Sequence, residues 1–277
     1  MQKKGMKPMM RSLWTAASGM ISQQTNVDTI SNNLANINTT GYKKETAQFK
    51  SLLYQTIQNK TTDNTGSVKP VGAQTGLGVK NSAIVSQYTQ GILKQTDNDY
   101  DFAIEGNGFF MVQTGDGSVG YTRSGTFGLS MGTNGIALAT TEGYPVLDAS
   151  GAPIVFDSDL DTSLLKMDEN GTFYYTENGT VKTLAQIGLA QFNNPAGLEK
   201  TSNSILKETA ASGGARIEGQ DAALKKSTVK RGYLENSNVQ AATEMVDLIV
   251  AQRAYEMNSK AINAADEMLQ QANNLRR

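Results

Sequence analysis

Asp97, Asp99 and Asp101 alternate in the run Asp97-Asn-Asp-Tyr-Asp101, as oxygen ligands do at the start of a calcium-binding loop. Such a loop needs glycine at its sixth position for the sharp turn and a bidentate Glu at its twelfth. Phe102 and Gly108 stand there instead, so the run reads as solvated acids at the entry to a strand. Gly106-Asn-Gly108 and Gly76-Leu-Gly78 each begin a dinucleotide fingerprint, but the third glycine is Met111 in one and Asn81 in the other. Both pairs are better accounted for as turns. Asp157, Asp159 and Asp161 offer carboxylates for glycoside chemistry, which needs two acids held about 5–9 Å apart across a cleft. Alternating Asp is ordinary in loops. The sequence contains no Walker loop and no Gly-x-Ser-x-Gly elbow.

Composition narrows the chemistry further. The 277-residue chain has neither cysteine nor histidine. Disulfides, thiolate nucleophiles, the usual neutral-pH general base and the commonest transition-metal ligand are all missing. Catalysis and cofactors are therefore not expected. Lys plus Arg number 25 against 26 Asp plus Glu, so there is no one-signed field for nucleic acid or an anionic membrane. No stretch approaches the ~20 apolar residues of a membrane span, and the basic start Met1-Gln-Lys-Lys leads into no apolar signal core. The reading is a soluble chain of about two domains, by a prior of roughly 150 residues each.

Two long helices, one at each end, are the strongest positive signal. Leu13, Ala16, Met20, Gln23, Val27, Ile30, Leu34 and Ile37 follow one another in alternating steps of three and four. Val250, Ala254, Met257, Ala261, Ala264, Met268, Gln271 and Leu275 do the same, in a tail without Pro or Gly from Glu235 onward. Such narrow stripes belong to coiled-coil seams rather than to the broad face of a globular helix. Ser237 or Asn238 could cap the second helix, and Gly41 lies where the first would end. Both helices present Asn, Gln, Ser and Thr elsewhere, surfaces that a further partner could use.

The middle is a different kind of sequence. Turn dipeptides Asn107-Gly108, Asp116-Gly117, Asn134-Gly135, Asn170-Gly171 and Asn178-Gly179 punctuate short apolar runs such as Phe109-Phe-Met-Val. No helical pattern separates them, so an antiparallel β domain is expected. The whole reads as α+β: 1–9 an N-terminal extension, 10–42 and 234–277 paired terminal helices forming an inner tube domain, 43–71 an extended arm or hairpin, and 72–233 a β-rich outer domain.

Three ordered segments carry a resemblance. Ser18-Gly-Met20 with Ser31-Asn-Asn-Leu-Ala-Asn-Ile-Asn-Thr-Thr-Gly-Tyr-Lys43 resembles the N-terminal signature of bacterial flagellar rod and hook proteins. Leu234-Glu-Asn-Ser-Asn-Val with Ala251-Gln-Arg-Ala-Tyr-Glu-Met is similar to the C-terminal one, and Asp101-Phe-Ala-Ile-Glu-Gly-Asn-Gly-Phe-Phe with Tyr121-Thr-Arg-Ser-Gly-Thr-Phe resembles the shared centre. Asn32, Asn33, Leu34, Asn36, Gly41, Tyr42, Gln252, Arg253 and Tyr255 are the signature residues. Within the family, Phe49-Lys-Ser-Leu-Leu-Tyr-Gln-Thr56 looks like a segment of the distal rod subunits.

The resemblance implies a structural subunit exported by the flagellar type III apparatus, with Phe49 and Leu53 matching the export motif. Its implied partners are further copies of itself in a helical tube, proximal rod and hook subunits, and the ring proteins that form the surrounding bushing. It implies a place in the basal body, in the periplasm. Leu13, Met20, Val27, Ile30, Leu34 and Ile37 would pack between subunits with Val250, Ala254, Met257, Ala261, Ala264, Met268 and Leu275. The arm, with Leu52, Tyr54 and Gln55, would reach a neighbour. Rival readings are a proximal rod or hook subunit and, in another class, a secreted β-rich glycan-binding or carbohydrate-active protein.

Overall fold

The computed structural model describes residues 6–58, 72–132, 135–157, 165–177, 180–221 and 224–274, without the side chains of 6–10, 58 and 177. Part of the N-terminal extension, the arm from residue 59 to 71, Asn134, the Asn178-Gly179 turn, Asp159, Asp161 and Leu275 lie outside the described residues. Two compact units emerge. One comprises both terminal helices and the segment from Glu45 to Val85; the other comprises Ala35–Lys44 and Ser86–Val239. Sequence composition had suggested a division near residue 71 instead.

In the first unit, α1 spans Met6–Ala35 and is about 45 Å long at 1.5 Å per residue. Pro8 is tolerated because it falls in the first turn, where its missing N–H would have no intrahelical partner. Ser and Thr are weak helix formers, yet several here donate their hydroxyls back to the helix: Thr15 to Arg11 O, Thr25 to Ile21 O and Thr29 to Thr25 O. The helix stops at Ala35, short of the expected residue 42. At Asn36 the chain turns, with Thr39 N–H donating to Asn36 O and the Thr39 hydroxyl to Asn36 Oδ1, both at 3.1 Å. Asn-Thr-rich sequence offers the backbone this alternative to helix. Ile37, expected in the seam, therefore sits beyond the helix.

Four strands follow: β1 (Glu45–Ser51), β2 (Tyr54–Gln58), β3 (Ala73–Gly76) and β4 (Val79–Ser86). β1 is bonded to β4, and β2 runs antiparallel to β3. At the break between the pairs, Leu52 N–H donates to Gly78 O and Leu77 N–H to Leu53 O. The result is a two-stranded ribbon. α2 runs Ala241–Asn274, about 51 Å. It begins later than the expected 234 because 233–235 form a strand and Asn238, a proposed cap, has other partners described below.

The second unit holds β5 (Leu93–Gln95), β6 (Phe102–Glu105), β7 (Phe109–Gln113), β8 (Val119–Thr122), β9 (Phe127–Gly132), β10 (Gly135–Thr140), β11 (Val155–Phe156), β12 (Lys166–Met167), β13 (Thr172–Glu177), β14 (Thr180–Gln186), β15 (Leu189–Gln191), β16 (Glu199–Lys200), β17 (Leu206–Lys207), β18 (Arg216–Ile217), β19 (Thr228–Arg231) and β20 (Tyr233–Glu235). The largest sheet has the order β16-β17-β8-β7-β15-β18. Its central strand β7 is buried on both faces: Phe110 and Val112 join a core with Phe102, Phe127, Leu138 and Phe173, whereas Phe109 and Met111 join one with Tyr121, Leu147 and Phe192. Each buried aromatic contributes roughly 1.5–3 kcal/mol of transfer free energy.

Turn chemistry holds at Asp116-Gly117, between β7 and β8, and at Asn170-Gly171, between β12 and β13. It fails at Asn107-Gly108. There β6 pairs with β19 and β7 with β8 and β15, so the turn carries the chain from one sheet to another. Asp101, expected to be solvated, is buried and accepts from Asn98 Nδ2 at 3.0 Å.

Candidate assembly surfaces

The three signature segments meet, within the second unit, at one buried carboxylate. Glu235, 1% exposed at the end of β20, accepts through Oε1 from Lys43 Nζ at 2.6 Å and Gly91 N–H at 2.8 Å, and through Oε2 from Arg123 Nε at 3.0 Å. Lys43 also donates to Thr89 O, and Arg123 Nη1 donates to the carbonyls of Gly106 and Gly108. Lys43 closes the N-terminal signature, Arg123 stands in the central one and Glu235 in the C-terminal one. Burial, and then the Arg123 charge, lower the Lys43 ammonium below the ordinary lysine value, against the raising effect of Glu235. Two cations share one carboxylate, and four carbonyl or N–H contacts complete the shell.

Neighbouring signature residues tighten this crossing. Gly41 has φ +70°, and a Cβ there would lie 2.6 Å from the Arg123 carbonyl carbon; its N–H donates to Glu235 O. A Cβ on Gly125 would fall 1.6 Å from Phe102 O, so glycine alone permits that backbone contact. Asn238 accepts from Lys44 N–H and donates to Gln87 O and to Thr89. Tyr42 lies under Lys200 Nζ at 5.7 Å. Reasoning from sequence passed over Lys43, Arg123 and Glu235 as site residues. The signal for Arg123 and Glu235 was a single charge inside an otherwise neutral signature string; Lys43, followed by Lys44 and Glu45, carried none.

In the first unit, Asn33 does the joining. Its amide oxygen accepts from Glu45 N–H and its nitrogen donates to Glu45 O, each at 2.8 Å, so the side chain acts as a strand partner for β1. The same nitrogen donates to Glu244 of α2 at 3.1 Å, and Asn32 donates to the Glu45 carboxylate. Fourteen residues back along α1, the Gly19 position faces Asn258, fourteen residues on along α2. The two helices therefore run antiparallel where these residues meet. Ser18 Oγ accepts from Val79 N–H and Thr25 Oγ1 from Asn81 Nδ2, which ties the ribbon to the same polar side of α1.

The stripe read from sequence lies on the covered side of α1, whereas that of α2 lies off the face buried inside this unit. On α1, the buried positions are Ala16, Ser22, Thr29, Ile30 and Asn33, whereas Leu13, Met20, Val27 and Leu34 are half-buried and Trp14 is 72% exposed. On α2, the covered positions are Glu244, Leu248, Ala251, Asn258, Ile262, Ala265 and Leu269. Val250, Met257, Ala261, Ala264 and Met268 are exposed, and Ala254 is half-buried. Gln252, Arg253 and Tyr255 also face outward. On the ribbon, Phe49, Tyr54 and Gln55 are exposed, Leu53 is 82% exposed, and Leu52 is half-buried. The apolar seam of α2 is thus left open in the single chain, while α1 turns small hydroxyls and amides inward.

No cluster able to hold a metal occurs among the described residues. A polar cavity of about 240 Å³ in the second unit is lined by Asn170, Thr172, Gln186 and Lys226, with Glu218 as its one described acid. That carboxylate accepts from Ser227 N–H, Ser227 Oγ and Gln191 Nε2, so it serves to close the loop against Gly108 rather than to face a second acid. Nor is any described helix long and apolar enough to cross a membrane.

Tyr121 gives the second unit a measurable pH signature. Burial, and then the Glu208 carboxylate, push its phenol up to about 12. The native phenol keeps its proton where the unfolded chain, titrating near ~10, loses it. The associated stability is complete below pH ~10 and lost as pH climbs to ~12, on the order of 2 kcal/mol. In urea titrations across that window, Tyr121→Phe should flatten the decline; an unchanged slope would show that Tyr121 is not its source.

Known proteins resemble this chain along nearly its whole length. Residues 13–43 match the model described as Flagella basal body rod protein, and 230–275 match Flagellar basal body rod FlgEFG protein C-terminal. Residues 103–175 match Flagellar hook protein FlgE/F/G D1 domain. The chain is 44% identical over 273 residues to the flagellar basal-body rod protein FlgG of Borreliella burgdorferi, covering 97% of this chain and 100% of that one. It is 42% identical to FlgG of Agrobacterium fabrum (94% and 97% covered) and 36% identical to FlgG of Bacillus subtilis (97% and 100% covered).

Proposed function

The chain belongs to the flagellar basal-body rod protein FlgG family and is a structural rod subunit; from that premise, we propose that it polymerises through its terminal helices into a rigid helical tube of the distal rod. The helices pair as a coiled coil and line an export channel, with ring proteins surrounding the tube. The ribbon reaches an adjacent subunit and stiffens the tube so that it transmits torque across the periplasm. Proximal rod and hook subunits continue it at either end. The work is mechanical, and no catalytic step is required.

The observation that carries this reading is the open stripe of α2. Val250, Met257 and Met268 are each more than half exposed on a helix whose other face is already occupied. Isolated exposed apolar residues are ordinary, but a stripe several turns long marks an interaction surface. A heterologous contact that does not close into a ring makes a helical filament. Leu13, Met20 and Val27, with Trp14 beside them, offer the complementary stripe on a second copy. Leu53, so exposed in the folded chain, remains available to the export apparatus with Phe49.

Negative-stain imaging of the concentrated protein tests this. Straight tubes are expected, together with their loss when residues 250–277 are deleted. Protein that stays monomeric with both helices folded would overturn the reading. Curved, supercoiled tubes would favour a hook subunit.

A further inference from the structure

The chain has no cysteine, so methionine is its only sulfur and its softest site for two-electron oxidants. Exposure sorts the methionines. Met111 is in the core, whereas Met257 and Met268 are 65% and 53% exposed on α2. Eleven residues separate them, which is three helical turns plus about 20°, so both lie on one face. Val250, Ala261 and Ala264 fill that face around them. Small alanines between two long, flexible thioethers make a surface into which a partner helix packs closely, with the sulfur at the contact.

We propose that Met257 and Met268 are oxidation sites that control assembly: peroxide converts them to sulfoxides in the unassembled chain and thereby blocks docking of a second copy. The inference rests on the polymer reading above. In the step itself, a thioether lone pair attacks one peroxide oxygen; the S–O bond forms as the O–O bond breaks, and the displaced hydroxide takes a proton to leave as water. Sulfur is oxidised by two electrons and the peroxide reduced by two. The product carries a strong acceptor oxygen. Buried against the apolar stripe Leu13, Met20 and Val27 of another copy, that oxygen would meet no donor from those side chains. An assembled tube covers the sulfurs, so the sensitivity belongs to the subunit before it is built in.

Met131, 85% exposed on β9, is an internal control, because it oxidises readily but lies off the stripe. The full-length chain is treated with dilute hydrogen peroxide, sulfoxide is located by peptide mass spectrometry, and the critical concentration for tubes is read by pelleting. Oxidised protein, still folded by circular dichroism, should need roughly 10- to 100-fold more subunit to assemble, the range one unsatisfied buried acceptor produces. Met257→Leu with Met268→Leu should assemble alike with and without peroxide, whereas Met131→Leu should remain sensitive. Preformed tubes should oxidise at Met131 well before Met257 and Met268. Oxidised protein that assembles at the untreated concentration would overturn the proposal, as would a double-leucine variant that loses assembly on treatment. Failure of the untreated protein to form tubes would instead sink the polymer reading beneath it.

Discussion

Replacing Glu235 by Gln should destabilise the protein by about 3–5 kcal/mol, the range for breaking a buried pair so that a charge is left uncompensated. The amide keeps the shape and still accepts from Gly91 N–H, but it leaves Lys43 and Arg123 facing each other without an anion. Lys43 is the member of the cluster whose charge responds to pH. The lysine's native value already lies below its unfolded value of 10.5. Between the two, the unfolded chain holds a proton that the native chain has released, so this group's contribution to stability rises with pH through that window. Losing Glu235 removes an interaction that raises Lys43, so the window extends downward. The Glu235→Gln penalty should therefore shrink as urea titrations move from pH ~7 toward ~9.5, below the Tyr121 transition. Lys43→Met placed on Glu235→Gln should restore part of the loss, as expected for two sites that share one network. A penalty independent of pH and additive with Lys43→Met would show that the cluster acts through packing alone.

The same cluster shows what a sequence discloses and what it withholds. The terminal helices were legible because periodicity survives over many turns. Their ends were not: Asn36–Gly41 leaves the helix through local Asn36–Thr39 hydrogen bonds, and Tyr233–Glu235 becomes a strand only by pairing with distant Leu93–Gln95. The hairpins at Asp116-Gly117 and Asn170-Gly171 were local and could be read. Asn107-Gly108 has the same dipeptide but is held by Arg123 on its carbonyls and by Ser227 on the Gly108 N–H, and it joins two sheets. Turn chemistry gives the bend and not the pairing. Asn33 and Glu235 could be named as signature members, but the contacts that make them necessary span 211 and 192 residues.

The helix faces teach something different. An apolar stripe in steps of three and four on each helix was expected to pack between subunits. Inside the single chain, the inward face of α1 includes Ser22, Thr29 and Asn33, and the covered face of α2 is offset by one residue from Val250, Met257 and Met268. Hydroxyls that return hydrogen bonds to their own helix are cheap to bury, so a polar inner face is compatible with folding. An apolar outer face contributes nothing to folding alone. Selection for it must come from contacts that a single chain does not make.

That division predicts a clean separation of folding from assembly. Val250→Asp combined with Met257→Asp should leave the thermal midpoint and helical content of the dilute protein nearly unchanged, because both positions are more than half exposed and surface substitutions usually fall within about 0.5 kcal/mol. The same double variant should form no tubes at any attainable concentration. Burying two unpaired carboxylates in each helix contact costs several kcal/mol per copy, and in a polymer that cost recurs at every subunit. Ala251→Asp, one position along and 1% exposed, should reverse the pattern by disrupting the first unit itself, with lowered helicity before any question of assembly arises. Circular dichroism with sedimentation separates the outcomes. Tubes from Val250→Asp/Met257→Asp would mean that the outward stripe of α2 is not the contact. Loss of helicity in that variant would mean that the stripe packs within the chain after all.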